Sequence, residues 1–197
     1  NQAENIMDMS PLHVDWVIKN STVKLRNEIR LAKQFCKSIG VYGAESYING
    51  FSGHVIDILV ISYGGFLKLL RNAVKWKKKK VIDYHNIHKG MALQKINKSK
   101  TFAPLIVVDP IMPERNASAA LSMEKFLLFK ESANRFLKKP NKKFFKIGGI
   151  QKNKLKVKSG EELFFITAEP LDGKKDVVGA KLLKAYTFMK KKIEGEE

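Results

Sequence analysis

The sequence has little cysteine and no long apolar run. Its 197 residues include a single cysteine, Cys36. One thiol cannot form an internal disulfide, nor a zinc site without three other ligands nearby, so we expect a reducing, cytoplasmic setting. No apolar run reaches the roughly 18 residues that span a bilayer, and no lipidation motif is present, so we expect no membrane partner.

Acidic residues are also scarce. The chain has 19 Asp and Glu residues against 37 Lys and Arg residues, a formal net charge of +18. Such an excess of cations favours a polyanionic partner, and nucleic acid is the first candidate. Because 44% of the residues are hydrophobic, the chain can still bury a core, and we predict a globular protein.

Several chemical motifs are missing as well. The sequence contains no phosphate-binding or dinucleotide-binding glycine loop, no HExxH, no CxxC pair and no G-x-S-x-G elbow, and nothing marks a Ser/His/Asp grouping. Two-metal nucleotidyl transfer needs carboxylates that converge on Mg²⁺, yet no Asp-x-Asp or Asp-x-Glu pair occurs. We therefore predict no catalytic residue and no metal ligand in a chain that is not self-sufficient as an enzyme.

The sequence is rich in helical patterns. Ser10 in an N-cap position, followed by Pro11, predicts a helix to Lys19. Ser52 is expected to cap a central helix that is apolar on every side except at Asp57, whose buried carboxylate needs a partner such as Arg or a backbone donor. Other helices are predicted over 21–38, from the Gly64-Gly65 break to 76, and over 122–138.

Two of these helices have a clear inward face. Over 21–38 an apolar arc is flanked by four cations, which either form a solvated stripe or contact phosphates. The arc contains Leu25, Ile29, Ala32, Phe35, Cys36 and Ile39, and the stripe contains Arg26, Arg30, Lys33 and Lys37. Over 122–138 the predicted inward residues are Phe126, Leu127, Phe129, Ala133, Phe136 and Leu137.

An arginine lies between an apolar run and a predicted helix start in "VVDPIMPERNASAALS". A cation is mildly disfavoured at the N-terminus of a helix, so Arg115 is either solvated or reaches for a ligand. Asn116 is expected to cap the helix behind it. Upstream, a short strand is predicted at 81–83 and a loop over Tyr84–Ala103. Asp83, His85 and His88 in this region form only a local cluster, so we do not favour metal binding there.

The last part of the chain has a different pattern. Pro140 and the Gly148-Gly149 pair suggest a boundary, so we predict domains at 1–140 and 141–197. Alternating lysines over 152–158 and the run "ELFFITAE" predict two strands, followed by a helix over 176–192 with Val177, Leu182, Leu183, Tyr186 and Met189 inward. This partial β-β-α unit lacks a covering layer, and a homodimer is one way to supply it.

Several motifs together resemble the central part of the archaeal-type CCA-adding tRNA nucleotidyltransferase. The resemblance covers about 10–145, with a looser match over 162–192. It implies an α+β, mainly helical fold, with a helical substrate-binding domain of the poly(A) polymerase-like type, short strands and part of a body domain. It also implies that a catalytic head, which binds Mg²⁺, is absent from this chain. The motifs are "SPLHVDWV", "NEIRLAKQFCKSIGVYGAE", "GFSGHVIDILVISYGGFL", "WKKKKVID" and "VVDPIMPERNASAALS".

The resemblance also implies roles for particular residues. His13, Lys33 and Tyr42 match residues that contact the triphosphate of ATP or CTP, and Arg115 matches an arginine that reads the base. Further phosphate or RNA contacts are expected from Arg26, Arg30, Lys37 and Asn116. The sequence departs from the family at Met9, where arginine is usual, at His54, where tyrosine is usual, and in the longer Tyr84–Ala103 loop.

The function implied by this resemblance is binding of tRNA and nucleotide during addition of C, C and A to the tRNA 3′ end. The expected partners are the tRNA acceptor arm, ATP, CTP and a catalytic head, and we expect this chain alone to be inactive. The alternative is a stand-alone basic RNA-binding or adaptor module without a nucleotide role. An Asp-x-Asp head encoded immediately upstream would favour the first hypothesis, and a natural start near Asn1 would favour the second.

Overall fold

The computed structural model describes residues 9–148, 162, 165–170 and 172–195. The fold is α+β and mainly helical, as the sequence predicts. The helices are α1 (Met9–Lys19), α2 (Val23–Ser38), α3 (Gly53–Tyr63), α4 (Phe66–Ala73), α5 (Ala92–Lys95), α6 (Met123–Lys138) and α7 (Lys175–Glu194). Two strands, β1 (Lys80–Ile82) and β2 (Leu105–Val107), form a parallel pair.

The described residues divide into two compact units. The first contains residues 9–44 and 48–147, and the second contains residues 45–47 and the described residues from 148 onward. The segment that suggested a linker forms a 3₁₀ turn, Lys142–Phe145, in the first unit. Its rings Phe144 and Phe145 each lie with their centroid 6.0 Å from that of Phe35. Aromatic packing therefore extends the first unit to residue 147.

The first two helices begin at slightly different residues from those predicted. Ser10 was expected to precede α1 as its cap, but α1 already includes Met9. Pro11 is still accommodated, because first-turn N–H groups have no partner within a helix. Helix α2 begins at Val23, two residues after the predicted start, and it is capped by Thr22, whose hydroxyl accepts from Leu25 N at 3.2 Å.

The predicted apolar arc of α2 is confirmed. Ile29, Ala32, Phe35 and Cys36 are buried, and Leu25 and Ile39 pack against them. Burial also raises the pKa of the Cys36 thiol, so this cysteine remains protonated and serves as a core residue.

Helix α3 is the centre of the core, as predicted. The Ser52 hydroxyl accepts from Val55 N at 3.2 Å, and every residue from 55 to 61 is buried. Gly64 ends the helix in the left-handed region, with φ of 68°. Within the described residues no single helix is long and apolar enough to cross a membrane, although α3 and α4, bent by 93°, reach that length and composition as a pair.

The residue before helix α4 is a glycine, and any other residue at this position would be strained. Gly65 has φ of 137°, and a Cβ on it would lie 2.5 Å from Oε2 of Glu28. That carboxylate accepts from Phe66 N at 2.7 Å, so α2 supplies the cap that α4 lacks in its own sequence. The helix ends at Ala73, three residues before the predicted end at Trp76.

The strands and their connection differ in detail from the prediction. Strand β1 begins one residue earlier than predicted, and Lys80 pairs with Leu105 and Ile82 with Val107. The predicted Tyr84–Ala103 loop contains α5 and a 3₁₀ turn at Lys98–Lys100, so its description as a loop was incomplete. Helix α5 is only four residues long, too short to produce a helical period in the sequence.

Helix α6 confirms its predicted cap and most of its predicted inward face. The Ser122 hydroxyl accepts from Lys125 N at 3.2 Å, and the buried residues include Phe126, Phe129 and Phe136. Leu127 is 52% exposed, so its predicted burial was wrong. Only one side of α6 meets the core, and Leu127 lies about 100° around the helix from Phe126.

The segment after β2 contradicts the predicted helix start at Arg115. Residues 111–120 form turns, and the next helix begins only at Met123. Asn116, expected as a cap, is 1% exposed, and its Oδ1 accepts from Val107 N and Ser118 N at 3.0 Å each. Its amide therefore joins the turn to β2 inside the fold. The sequence suggested a helix here because Ala and Ser follow Asn116, but these small residues also occur in turns.

The second unit keeps the predicted helix but not its predicted burial. Val177, Leu183 and Tyr186, expected inward, are 51%, 43% and 60% exposed on α7, while Leu182 and Met189 are half-buried. The first predicted strand, 152–158, lies outside the described residues. In "ELFFITAE", residues 162 and 165–169 are described and none of them is in a strand. A ladder needs a paired and covered strand, and the described part of this unit supplies neither.

Candidate functional site

A cleft of about 470 Å³ opens between α1, α2 and the start of α3. The cleft is lined by basic, imidazole and apolar side chains. Two residues with predicted triphosphate roles, His13 and Lys33, line this cleft together with two members of the cationic stripe, Arg26 and Arg30. The remaining lining residues are Val14, Val17, Ile18, Ile29, His54 and Asp57.

Lys33 is the partner of the buried carboxylate on α3. Its Nζ lies 2.7 Å from Oδ1 of Asp57, where the sequence suggested an arginine or a backbone donor. Burial raises the pKa of Asp57, and the hydrogen bond and charge of Lys33 offset only part of that effect, so the pKa lies above its ordinary value. The pair holds the ammonium in the cleft, with 30% of the Lys33 side chain exposed.

Tyr42 meets Lys33 at the first residue of α3. A Cβ on Gly53 would lie 3.1 Å from the Tyr42 hydroxyl and 3.7 Å from Lys33 Nζ, so glycine is what lets both groups approach the helix start. Tyr42 also pairs with Phe51 in a short bridge, and the Lys37 ammonium lies 5.0 Å from its ring centroid. The N-terminus of a helix is its positive end, so this corner suits an anion.

Asp109 is the central residue of the neighbouring cluster. It lies two residues after the end of β2, and its side chain is fully buried. Its Oδ2 lies 3.4 Å from His13 Nε2 and 3.5 Å from Arg115 Nη1, and its Oδ1 lies 4.0 Å from His54 Nε2. One carboxylate therefore links α1, α3 and the turn after β2.

The backbone holds the same carboxylate from the other side. Its Oδ1 accepts from Ile111 N at 2.9 Å and from Met112 N at 3.3 Å. Burial alone raises the pKa of Asp109, but the approach of His13, the Ile111 amide and the charges of His13 and His54 outweigh it, so the pKa lies below its ordinary value. Asp109 is therefore ionised at neutral pH.

His54 is a neutral imidazole in this cluster. Burial, followed by the charge of His13, lowers its pKa to about 4. Its ring stacks on that of His13, with centroids 3.7 Å apart and planes 22° apart. His54 stands where the resembled family usually has tyrosine, and its ring packs on that of His13 while its Nε2 lies 4.0 Å from Asp109 Oδ1.

The cluster also contains the atoms of a metal site. His13, His54 and Asp109 offer ligand atoms within 4.8 Å of one another. However, stacked imidazoles direct their nitrogens side by side rather than to one point, and the Arg115 guanidinium already occupies Oδ2. The arrangement is better suited to an ion-pair cluster than to a divalent cation.

The metal set considered from the sequence is not assembled. The Asp83 carboxylate accepts from Ile87 N and His88 N, which closes a local turn. His85 Nε2 accepts from Trp16 Nε1 at 3.0 Å, and His88 Nε2 lies 2.7 Å from the Pro113 carbonyl oxygen. Each group is thus used by a separate contact within the fold.

The four predicted nucleotide residues fall into two linked pairs. Lys33 and Tyr42 meet at Gly53, while His13 and Arg115 meet at Asp109. The Arg115 side chain remains 41% exposed. Sequence reasoning missed Asp109, although a carboxylate directly after the apolar run "PLIVV" is a signal that a buried charge needs partners.

Comparison with known proteins gives consistent matches. The sequence profile of a family described as "tRNA nucleotidyltransferase, second domain" matches residues 27–146. The CCA-adding enzyme of Pyrococcus abyssi is 38% identical over 90% of this chain and 41% of its own length. The CCA-adding enzyme of Nanoarchaeum equitans is 39% identical over 92% of this chain and 44% of its own length. The CCA-adding enzyme of Sulfurisphaera tokodaii is 39% identical over 73% of this chain and 32% of its own length. The chain thus spans less than half of each of these relatives.

Proposed function

The chain belongs to the family of tRNA nucleotidyltransferase second domains, and we propose that it is the tRNA- and nucleotide-binding portion of an enzyme that adds C, C and A to the tRNA 3′ end from CTP and ATP. The observation that supports this most is that His13 and Lys33 line one cleft, while Tyr42 approaches Lys33 at Gly53 and Arg115 shares Asp109 with His13. The proposed partners are ATP, CTP, the tRNA acceptor arm and a catalytic head.

The triphosphate would lie along the His13, Lys33 and Tyr42 side of the cleft. Lys33, Arg26 and Arg30 line the cleft with one carboxylate, Asp57, and Arg115 is paired with Asp109, so basic side chains outnumber carboxylates at the site, which favours an anion. The Tyr42 hydroxyl and the amides of the first turn of α3 would supply hydrogen-bond donors to a phosphate bound there.

The base would meet Arg115. Its Nη1 is held by Asp109, and the 41% exposed guanidinium keeps further donors for a base edge. A forked donor that meets a base edge in bidentate fashion contributes about 1–3 kcal/mol of discrimination. Arg115 is thus suited to the choice of base, and Lys33 to holding the triphosphate.

The described carboxylates of the cleft and of the neighbouring cluster do not fit the Mg²⁺ ions that nucleotidyl transfer uses. Mg²⁺ needs several oxygen ligands, usually from carboxylates that converge. In the described part of the chain, Asp57 is paired with Lys33, and Asp109 with His13 and Arg115. We propose that Mg²⁺ and the catalytic carboxylates belong to a head domain outside this chain, and we derive no step through the ions.

Titration of CTP into the chain tests the nucleotide role. We expect binding by the wild type and a roughly tenfold loss, equivalent to 1.4 kcal/mol, in Lys33→Met/Asp57→Asn. That double variant removes the cation without leaving an unpaired buried carboxylate. Lys24→Met, exposed on the same helix, is the matched control. If tRNA binds but CTP and ATP do not, the stand-alone RNA-binding module is the better interpretation.

The tRNA role is tested by salt. If roughly six cations neutralise phosphates, log K falls against log salt with a slope of about −4 to −5. A flat response would contradict phosphate-driven binding. Sedimentation at rising concentration tests the proposed homodimer, and the cytoplasmic setting remains our proposal from the single, buried cysteine.

A further inference from the structure

We propose that Asp109 is the positioning residue of the nucleotide site, setting the place of the Arg115 guanidinium relative to His13. This inference rests on the proposed function. It concerns a residue that neither touches the nucleotide nor carries out chemistry. Asp109 would act by holding the base-reading group and a triphosphate-binding group on the same oxygen atom, Oδ2.

The two oxygens of Asp109 have different partners. Oδ1 accepts from the amides of Ile111 and Met112, which belong to the turn that follows Asp109 itself. These contacts fix the rotation of the carboxylate, and Oδ2 is thereby turned toward His13 at 3.4 Å and Arg115 at 3.5 Å. Because the side chain is fully buried, water does not replace either contact.

The main chain of the same turn fixes where Arg115 starts. Asp109 N donates to the Arg115 carbonyl oxygen at 3.1 Å, and Arg115 N donates to the Met112 carbonyl oxygen at 2.9 Å. The backbone of Arg115 is therefore held at both its N–H and its C=O. The side chain, 41% exposed, depends on Asp109 for its direction, since no other side-chain partner of its guanidinium is found in the described parts of the chain.

A fixed guanidinium matters more for base choice than for affinity. Discrimination requires that the donor fork meet the base edge in one geometry, whereas attraction to phosphates needs only charge nearby. Without Asp109, Arg115 keeps its charge and its backbone position but samples many rotamers, at an entropic cost each time it meets a base. We therefore expect base discrimination to fall further than nucleotide affinity.

Asp109→Asn is the variant that separates position from shape. The amide keeps one carbonyl oxygen for the Ile111 and Met112 amides but places an NH₂ group where His13 and Arg115 need an acceptor. Asp15→Asn is the matched control, because Asp15 is exposed on the same helix as His13 and changes the net charge equally. A thermal unfolding curve of each variant checks that it is folded.

The first readout is the NMR spectrum of the arginine side chains in the 197-residue chain, which needs no nucleotide. We expect slow rotation and dispersed signals for the Arg115 guanidinium in the wild type and in Asp15→Asn, and averaged signals in Asp109→Asn. Averaged signals in the wild type would overturn the proposal, and this measurement holds even if Asp109→Asn does not fold. Failure of CTP to bind would count against the proposed function alone, since the arginine signals report independently.

The second readout is the ratio of CTP to UTP affinity. We expect this ratio to fall roughly tenfold in Asp109→Asn, while CTP affinity itself falls less than in the Lys33 double variant. Arg115→Lys, which keeps the charge and loses the fork, should give a similar fall, and the two changes together should add little further. An unchanged ratio in Asp109→Asn, or fully additive effects, would mean that Asp109 is merely structural.

Discussion

Asp57 and Asp109 are two buried carboxylates in the same unit, and they behave in opposite ways. Asp57 lies inside α3 with one cationic partner, Lys33, and its pKa is raised. Asp109 lies after β2 with two backbone donors and three side chains around it, and its pKa is lowered. Burial acts in the same direction on both, so the number and arrangement of donors decides which form of the carboxyl is favoured.

This difference predicts how much each contact stabilises the fold. The Asp109 carboxylate is shared by two backbone amides and three side chains, so its loss leaves several groups without a partner, whereas Asp57 has one cationic partner and a raised pKa. We expect removal of Asp109 to lower the free energy of unfolding most, removal of Lys33 to lower it less, and neutralisation of Asp57 to change it little.

The largest effect is expected for Asp109→Ala. The change leaves the amides of Ile111 and Met112 without their acceptor and brings His13 and Arg115 together without the negative charge between them. We expect a loss of about 3 kcal/mol in the free energy of unfolding, measured by urea at pH 7. Asp15→Ala should cost under about 0.5 kcal/mol. A loss below roughly 1 kcal/mol for Asp109→Ala would contradict the claim that the Asp109 carboxylate holds these groups together.

Lys33→Met should have the next largest effect. It leaves the Asp57 carboxylate without its partner at 2.7 Å, in a site where 13% of that side chain is exposed. We expect a loss of about 2 kcal/mol in urea unfolding at pH 7, discounted for partial solvation. Adding Asp57→Asn should restore most of this loss. If the double variant is no more stable than Lys33→Met, the pair is not what the unfolding measurement reports.

His54 predicts a pH dependence. Its pKa falls from 6.5 to about 4 on folding, so between these pH values His54 is mostly protonated in the unfolded chain and mostly neutral in the folded chain. Stability contributed by His54 is therefore present above pH 6.5 and is lost as the pH falls toward 4, about 3 kcal/mol in all. His54→Gln should flatten the unfolding free energy between pH 6.5 and 4.

The smallest effect is expected for Asp57→Asn. Because the pKa of Asp57 is raised, its share of stability declines as the pH rises above the ordinary value of 3.8, and a neutral amide removes that decline. At pH 7 we expect a change within about 1 kcal/mol. The comparison predicts opposite slopes for the two carboxylates, since Asp109 contributes stability above pH 3.8 and loses it below. If Asp57→Asn and Asp109→Asn changed the slope of the unfolding free energy against pH in the same direction, the contrast between the two carboxylates would be wrong.

Local signals in the sequence predicted most of the helical framework. Ser52 and Ser122 were predicted as caps because an N-cap depends on a few consecutive residues. The inward face of α2 was predicted because its period is regular over sixteen residues. Where the local pattern was short or ambiguous, prediction failed, as at the four-residue α5 and at Asn116, whose neighbours accept turns as readily as a helix.

By itself the sequence determined the excess of positive charge, the mainly helical fold and the residues of the cationic stripe, since each follows from composition or from contacts a few positions apart. Only the tertiary structure decided that Lys33 pairs with Asp57, and that His13, His54 and Arg115 converge on Asp109. The physical reason is separation along the chain. A buried carboxylate requires donors, but any cation that the fold brings near can provide them, and that choice is made by how the helices pack.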